Sequence, residues 1–109
     1  MVESSNIIEI ISKAQFDEAI KSENLTIVDF WAEWCWPCRF LKPLLHKIAS
    51  EYPKIQLLTV DVDKNLELAV EYEINSIPDV IFFKNWVQVD RFVGVMPENE
   101  ILDRIEANK

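Results

Sequence analysis

Two cysteines at close spacing are the residues of this 109-residue chain best suited to chemistry. Cys35 and Cys38 are its only cysteines, and they lie in the run Trp34-Cys35-Trp36-Pro37-Cys38. A disulfide across so short a loop constrains the unfolded chain by roughly 2 kcal/mol, against about 5 kcal/mol for a loop of ~100 residues. The spacing is therefore typical of a bond that opens and closes during a reaction, rather than one that stabilises a fold.

The two cysteines are predicted to differ in reactivity. Cys35 lies where a buried strand ends and a long helix, predicted over about 35–52, begins. The positive end of the helix dipole and the unpaired N–H groups there lower the pKa of a thiol, and the thiolate is the form that attacks a disulfide. Cys38 lies one turn later and is predicted to be more buried, which suits it to attack the mixed disulfide and release the reduced substrate.

A carboxylate within an apolar strand is the candidate base for this second step. Asp29 lies in the apolar run 25–31, where burial would raise its pKa and let it accept the proton of Cys38. The alternative is a structural Asp whose oxygens accept hydrogen bonds from backbone N–H groups. Because a buried carboxylate is costly without a role, the catalytic interpretation is preferred.

Hydrophobic periodicity and turn residues predict the element order βαβαβαββα. Strands are predicted at 7–11, 25–31, 55–62, 80–83 and 87–93, and helices begin near Ser12, Cys35, Asn65 and Pro97. The long helix from Cys35 is predicted to carry its apolar side chains at helical spacing, namely Phe40, Leu41, Leu44, Leu45 and Ile48. Alternating strands and helices favour a mostly parallel sheet, to which a terminal hairpin adds antiparallel strands. The predicted fold is α/β, with a mixed central five-stranded sheet flanked by helices on both faces, in a single domain over 1–109.

Composition excludes several classes of partner. The chain has 11 Lys and Arg against 19 Asp and Glu, and its formal charge of -8 would repel nucleic acids and anionic membrane surfaces. Residues 1–6 lack the basic start and apolar run of a secretory signal, and no apolar stretch approaches the length of a membrane helix. We therefore expect a cytoplasmic protein, where close cysteines are more often catalytic or metal-binding than structural.

The residues alone leave three other functions open. A CxxC pair also begins many zinc sites, but His46 is the sole further soft ligand and is predicted to face solvent, so no metal site is expected. A non-catalytic interaction module could use the acidic surface and the four tryptophans, although it would not need Asp29 beside two cysteines. An oxidant or isomerase would run the same chemistry in the opposite direction.

Six short motifs resemble the thioredoxin family, in order and at fitting separations across nearly the whole chain. They are Val28-Asp29-Phe30-Trp31-Ala32, Trp34-Cys35-x-Pro37-Cys38, Lys42-Pro43, Val60-Asp61-Val62-Asp63, Ser76-Ile77-Pro78 and Phe92-Val93-Gly94. The resemblance implies the thioredoxin fold and a general protein-disulfide reductase activity. It also implies a cis peptide bond before Pro78 that faces the cysteines and exposes the Ile77 backbone for strand-like pairing with a substrate.

The resemblance implies a site and partners as well. It implies a substrate groove formed by Trp34, Pro37, Ile77, Pro78, Val93 and Gly94, and Trp36, between the cysteines, is predicted to border the same groove. No bound cofactor is needed. The partners would be disulfide-containing client proteins and an upstream thioredoxin reductase drawing on NADPH or ferredoxin, and the protein is expected to be a monomer.

Four residues depart from the family pattern. Trp36 replaces the usual Gly and would change what docks, unless its ring simply packs on Trp34. Asp79 replaces Thr and would oppose thiolate formation at Cys35 if it pointed there. Thr59 replaces a Lys, which would leave Asp29 without a neighbouring cation, and Trp86 replaces a hairpin Gly, which predicts a different turn type.

Overall fold

The computed structural model describes residues 6–109. Five strands form one sheet: β1 (Ile7–Glu9), β2 (Thr26–Trp31), β3 (Gln56–Asp61), β4 (Asp79–Lys84) and β5 (Val87–Val93). Four helices accompany them: α1 (Lys13–Ala19), α2 (Cys38–Glu51), α3 (Leu66–Glu71) and α4 (Glu98–Asn108). The predicted element order is confirmed. The interpretation of residues 1–6 as lacking a signal falls, for its first five positions, outside the described part of the chain.

The sheet has the spatial order β1-β3-β2-β4-β5 and is mixed. The first three strands in that order run parallel, whereas β4 pairs antiparallel with both β2 and β5. The central position of β2 explains why it reads as a continuous apolar run, since both of its faces are covered. Within residues 6–109 no helix is both long enough and apolar enough to cross a membrane.

Side-chain alternation along the strands divides the interior into two cores, one on each face of the sheet. Ile27 and Leu57 belong to the core beneath α2 and α4, with Leu45 and Ile105 from those helices. The neighbouring strand positions face α1 and α3, where Phe16 and Leu68 are buried. The prediction of helices on both faces is confirmed. The same alternation points Asp29, two residues after Ile27, toward α2.

Helix α2 begins later than the sequence predicts. Its first residue is Cys38 and Pro37 is its N-cap, so Cys35 lies in the turn before the helix rather than in its first turn. Phe40, predicted to face the core, is 58% exposed. The shift has a simple cause: Pro37 has no N–H to donate and suits the start of a helix, so residues 32–37 form turns between β2 and α2.

The turn between β4 and β5 has the positive-φ backbone that Trp86 was predicted to disfavour. Asn85 and Trp86 both have positive φ, at 52° and 68°, as in the tight turn that joins twisted antiparallel strands. The Trp86 N–H donates to the Ile20 carbonyl at 2.8 Å, and the Lys21 ammonium lies 5.2 Å from the centroid of the indole. The predicted change of turn type is therefore wrong, because these contacts hold a bulky residue in a left-handed conformation.

This turn predicts an unusual order of stability among variants of Trp86. We expect Trp86→Gly to raise the free energy of unfolding by about 0.5 kcal/mol, since glycine removes about 1 kcal/mol of left-handed strain and the exposed cation–π contact is worth less. Trp86→Ala keeps the strain and loses the ring, so it should fall below the wild type. Urea unfolding of the three proteins measures the order. A Trp86→Gly protein less stable than Trp86→Ala would contradict it.

Candidate active site

The two cysteines form a disulfide at the junction of β2 and α2. Their Cα atoms are 5.3 Å apart, and both residues are buried, Cys35 at 3% exposure and Cys38 at 2%. Accessible area therefore barely separates the two residues, and the difference runs in the predicted direction. The two differ instead in their hydrogen bonding: the Cys38 N–H, at the start of α2, points to the Cys35 sulfur at 3.2 Å. An N–H donor in this position favours negative charge on Cys35 Sγ.

The segment before β4 closes the site on one side. The Ile77–Pro78 peptide bond is cis, and the Ile77 side chain packs against the small cluster of Ala32 and the two cysteines. The N–H of Gly94 donates to the Pro78 carbonyl at 2.8 Å, and Gly94 takes a φ of +93°, which suits glycine. Ile77 thus lies against the two cysteines, and Gly94 is hydrogen-bonded to the neighbouring Pro78.

Exposed aromatic rings border the disulfide. Trp34 is 68% exposed, and its Nε1–H donates to Asp63 at 2.8 Å. Trp36 is 64% exposed and lies edge-on to Phe40, with ring centroids 5.6 Å apart. The alternative in which Trp36 packs on Trp34 is therefore wrong. Since Phe40 is on the first turn of α2, the two rings form a raised apolar surface beside the dithiol.

Two further predicted groove residues are also exposed. Pro37 is the N-cap residue of α2, and Val93 is the last residue of β5, at 56% exposure. Val93 is the sheet partner of Asp79, directly after Pro78, so it borders the cis segment. Both residues are therefore available to a docked polypeptide.

Asp29 has the environment expected of a proton acceptor. It is 1% exposed, and neither of its carboxylate oxygens has a hydrogen-bond partner among the described residues. The alternative of a structural Asp bonded to backbone donors is therefore wrong. Burial raises the pKa of Asp29 from 3.8 to about 7, so the group can exchange a proton near neutral pH.

Lys42 supplies a cation near Asp29. Its positive charge lowers the pKa of Asp29, against the larger effect of burial. Lys42 lies on α2 one turn after Cys38, and its Nζ atom is 3.5 Å from the centroid of the Trp31 ring. The expectation that Thr59 leaves Asp29 without a neighbouring cation is therefore wrong, because the ammonium comes from the helix rather than from β3.

Asp79, the second unusual carboxylate, is held on the other face of the sheet. Its two oxygens accept hydrogen bonds from Arg91 at 2.9 Å and 2.6 Å, and the same guanidinium donates to the Tyr72 carbonyl at 3.1 Å. Sheet alternation places Asp79 with Ile81, on the face opposite Asp29. It therefore points away from the dithiol and its charge is paired.

His46 does not face solvent as predicted. It is half-buried, its Nε2 atom is buried without a partner among residues 6–109, and burial together with the charge of Lys42 lowers its pKa. Within those residues no group of three or more His, Cys, Asp or Glu side chains is arranged to hold a metal ion.

Sequence reasoning missed the roles of Lys42, Arg91 and Phe40. The sequence did indicate that Lys42 lies near the site, because it follows Cys38 by four residues and must share its face of α2. Phe40 was assigned to the wrong face, since apolar spacing cannot distinguish a core residue from an exposed binding residue. The Arg91 contact with Asp79 depends on the register of β4 and β5, which the sequence alone did not supply.

Comparison with known proteins gives the same family as the motifs. The family model described as Thioredoxin matches residues 7–107. A thioredoxin of Staphylococcus aureus is 41% identical over 98 residues, which are 86% of this chain and 93% of the relative. A thioredoxin of Mycoplasma genitalium is 38% identical over 97 residues, 89% of this chain and 95% of the relative.

Solved structures agree in fold. The chain superposes on the thioredoxin of Fasciola hepatica with a TM-score of 0.86 and 34% identity, covering 93% of this chain and 98% of the other. A variant thioredoxin of Halobacterium salinarum gives a TM-score of 0.87 at 27% identity, covering 98% and 95%. With its cysteine pair at the β2–α2 junction, the chain belongs to the thioredoxin family of thiol-disulfide oxidoreductases, which act on disulfide-containing proteins.

Proposed function

We propose that Cys35 is the attacking thiolate, Cys38 the resolving thiol and Asp29 the proton acceptor of a general protein-disulfide reductase. The observation that carries this assignment is the Cys35–Cys38 disulfide at the start of α2, with the Cys38 N–H directed at the Cys35 sulfur. A thiolate at Cys35 would accept that hydrogen bond and meet the positive end of a 14-residue helix. Cys38 supplies this N–H from its own backbone, so its own sulfur does not accept the same hydrogen bond.

The reaction proceeds by two exchanges. The Cys35 thiolate attacks one sulfur of the client disulfide, forms a mixed disulfide and releases the other client sulfur as a thiolate. Asp29 then accepts the Cys38 proton, and Cys38 attacks the Cys35 sulfur, which releases the second client thiolate. The client gains two electrons and, from solvent and Asp29, two protons, while the pair returns to the disulfide. A reductase must restore the dithiol for the next turnover.

The docking groove is proposed to include the predicted set of Trp34, Trp36, Pro37, Ile77, Pro78, Val93 and Gly94. Support comes from the packing of Ile77 on the cysteines and from the exposure of Trp34, Trp36 and Val93 around them. A client segment would pair with the backbone at Ile77 as an added strand. Trp36 and Phe40 together present a rigid apolar surface, which would select clients with an apolar residue near the reactive cysteine.

The proposed setting is that of a cytoplasmic electron carrier. The partners are disulfide-containing clients and an upstream thioredoxin reductase, with no bound cofactor and with the chain acting as a monomer. The formal charge of -8 argues against nucleic acids and anionic membranes as partners. Pro37 between the cysteines favours the reducing direction, and a reduction potential below that of glutathione would distinguish this function from an oxidant or isomerase.

The assignment of the cysteines predicts different fates for their serine variants. With dithiothreitol as reductant, the wild type should reduce insulin, and Cys38→Ser should lose at least about a hundredfold in turnover while accumulating a mixed disulfide through Cys35. Cys35→Ser should be inactive and trap nothing. Turbidity measures reduction, and mass spectrometry of the adduct identifies the sulfur. An adduct on Cys38 in the Cys35→Ser protein would contradict the assignment, because it would make Cys38 the attacking residue.

Burial of Asp29 predicts that its removal stabilises the protein in a pH-dependent way. The pKa of Asp29 is raised in the folded state, from 3.8 to about 7. Between these two pH values the folded chain keeps a proton that the unfolded chain releases. Stability therefore falls as pH rises through the interval and stays low above it. Asp29→Asn should gain up to about 4 kcal/mol at about pH 8 and almost nothing at about pH 3.

Urea unfolding of the oxidised proteins across this pH range measures the effect. Asp79→Asn is the matched control, since it removes an equally buried carboxylate that is paired with Arg91, and it should lose about 1–3 kcal/mol at neutral pH. A gain for Asp29→Asn that is the same at every pH would show that ionisation of the carboxylate is not its cause.

The ammonium of Lys42 predicts a shift in the pH dependence of catalysis. Without it the pKa of Asp29 rises further, so Lys42→Met should move the acid limb of the pH–rate profile for mixed-disulfide resolution to higher pH. At a pH on that limb the rate should fall by about two- to tenfold. Lys42→Arg should restore the profile. Lys47→Met, which removes an exposed cation from the same helix, should leave it unchanged, and an equal shift there would refute a local effect.

A further inference from the structure

A cavity of about 510 Å³ lies at the end of the sheet opposite the dithiol. Its apolar lining includes Leu25, Tyr52 and Ile55, and Leu25 directly precedes β2. The dithiol lies beyond the other end of β2, so about 20 Å of strand separates it from the cavity. Pockets for small ligands have volumes of roughly 300–1,000 Å³ and mostly apolar linings. The cavity therefore has the size and character of a ligand site that is separate from the dithiol.

Charged side chains of both signs line this cavity. Four of them form no ion pair among residues 6–109, and we name them the lysine pair and the glutamate pair: Lys54 with Lys84, and Glu23 with Glu51. The third lysine of the lining, Lys109, is already paired with Glu106 at 3.1 Å. The unpaired charges around the apolar lining are therefore two positive and two negative.

Two helix ends add partial charge at the same place. Helix α2 ends at Glu51, and α4 ends at Asn108, next to Lys109 of the lining. The carbonyl groups of a last helical turn carry partial negative charge, which favours a cation nearby. A simple anion in the cavity would meet these carbonyl groups and the glutamate pair, and a simple cation would meet the lysine pair. A ligand that carries one charge of each sign satisfies both.

We propose that this cavity binds a short apolar peptide with both termini free. Its side chains contact the apolar lining, its carboxylate meets the lysine pair, and its ammonium group meets the glutamate pair. Because both pairs line one cavity of about 510 Å³, the two termini must lie close together, which limits the ligand to a di- or tripeptide. The inference does not rest on the proposed reductase function, since neither cysteine lines the cavity.

The test titrates the isotope-labelled oxidised protein with the dipeptide Phe-Leu and follows the backbone amide signals by NMR. We expect saturable shifts at Leu25, Ile55 and Lys84, and none at Trp34 or Ile77 beside the dithiol. Blocking either terminus should weaken binding about fivefold, because N-acetyl-Phe-Leu lacks the ammonium group and Phe-Leu amide lacks the carboxylate. Ser-Ser, which has no apolar side chain, should give no saturable shift.

Replacement of the lysine pair tests its assignment to the carboxylate. Lys54→Gln with Lys84→Gln should weaken the binding of Phe-Leu about fivefold, yet leave Phe-Leu amide unchanged because that peptide has no carboxylate to lose. The matched control is Lys64→Gln with Glu67→Gln, which removes one exposed charge of each sign outside the cavity. This control should change the binding of no peptide.

Replacement of the glutamate pair tests its assignment to the ammonium group. Glu23→Gln with Glu51→Gln should weaken the binding of Phe-Leu about fivefold and leave N-acetyl-Phe-Leu unchanged. Tighter binding of Phe-Leu by this variant would mean that the cavity prefers a simple anion, and it would overturn the proposal. Thermal unfolding of each variant verifies that the fold is retained.

Three further results would overturn the proposal. The first is that both blocked peptides bind as tightly as Phe-Leu, and the second is that no shift saturates at up to about 10 mM peptide. The third is that the shifts are confined to Trp34 and Ile77. Shifts at Leu25 and Ile55 that appear when protein concentration rises without peptide would assign the cavity to a second copy, and this too would reject the peptide.

Discussion

The site depends on the burial of one carboxyl group, that of Asp29, on the face of the sheet that α2 covers. Two residues from Ile27 on a central strand, it points into the core under α2 and has no hydrogen-bond partner among residues 6–109. Burial without partners raises the pKa of Asp29 to about 7, and the apolar packing on both faces of the sheet must offset the cost of ionising it. A carboxyl group that exchanges a proton near neutral pH is thus obtained at the expense of stability.

Helix α2 positions the groups that act on this carboxyl. Cys38, Lys42 and His46 follow one another at intervals of four residues, so they lie on one face of the helix. The first provides the N–H to Cys35 and the second provides the ammonium that lowers the pKa of Asp29. The buried Nε2 of His46 lies farther along the same face. A single rigid element therefore fixes the sulfur of Cys38 and the charge that acts on Asp29 together, which loops could not do as accurately.

Much of this arrangement could be predicted from the sequence. The apolar periods predict the element order, the spacing of the cysteines indicates a reversible bond, and Asp29 is identified because a carboxylate interrupts a buried strand. What could not be predicted depends on long-range geometry. Helix α2 begins at Cys38 rather than at the predicted Cys35, because residues 32–37 form turns instead. Phe40 has the spacing of the apolar residues of α2 but is exposed. Contacts such as Arg91 with Asp79 require the strand register, which periodicity does not contain.

The residues that depart from the family pattern each acquire a partner elsewhere in the chain. Thr59 provides no cation, and Lys42 of α2 provides one; Asp79 is matched by the guanidinium of Arg91. Trp36 lies against Phe40, and Trp86 lies under the Lys21 ammonium. The expectations for Thr59 and Trp86 were wrong because the residues that compensate them, Lys42 and Lys21, are distant from them in the sequence. Residues in contact are not independent, so substituting one member of such a pair measures the loss of the pair as well as the residue itself.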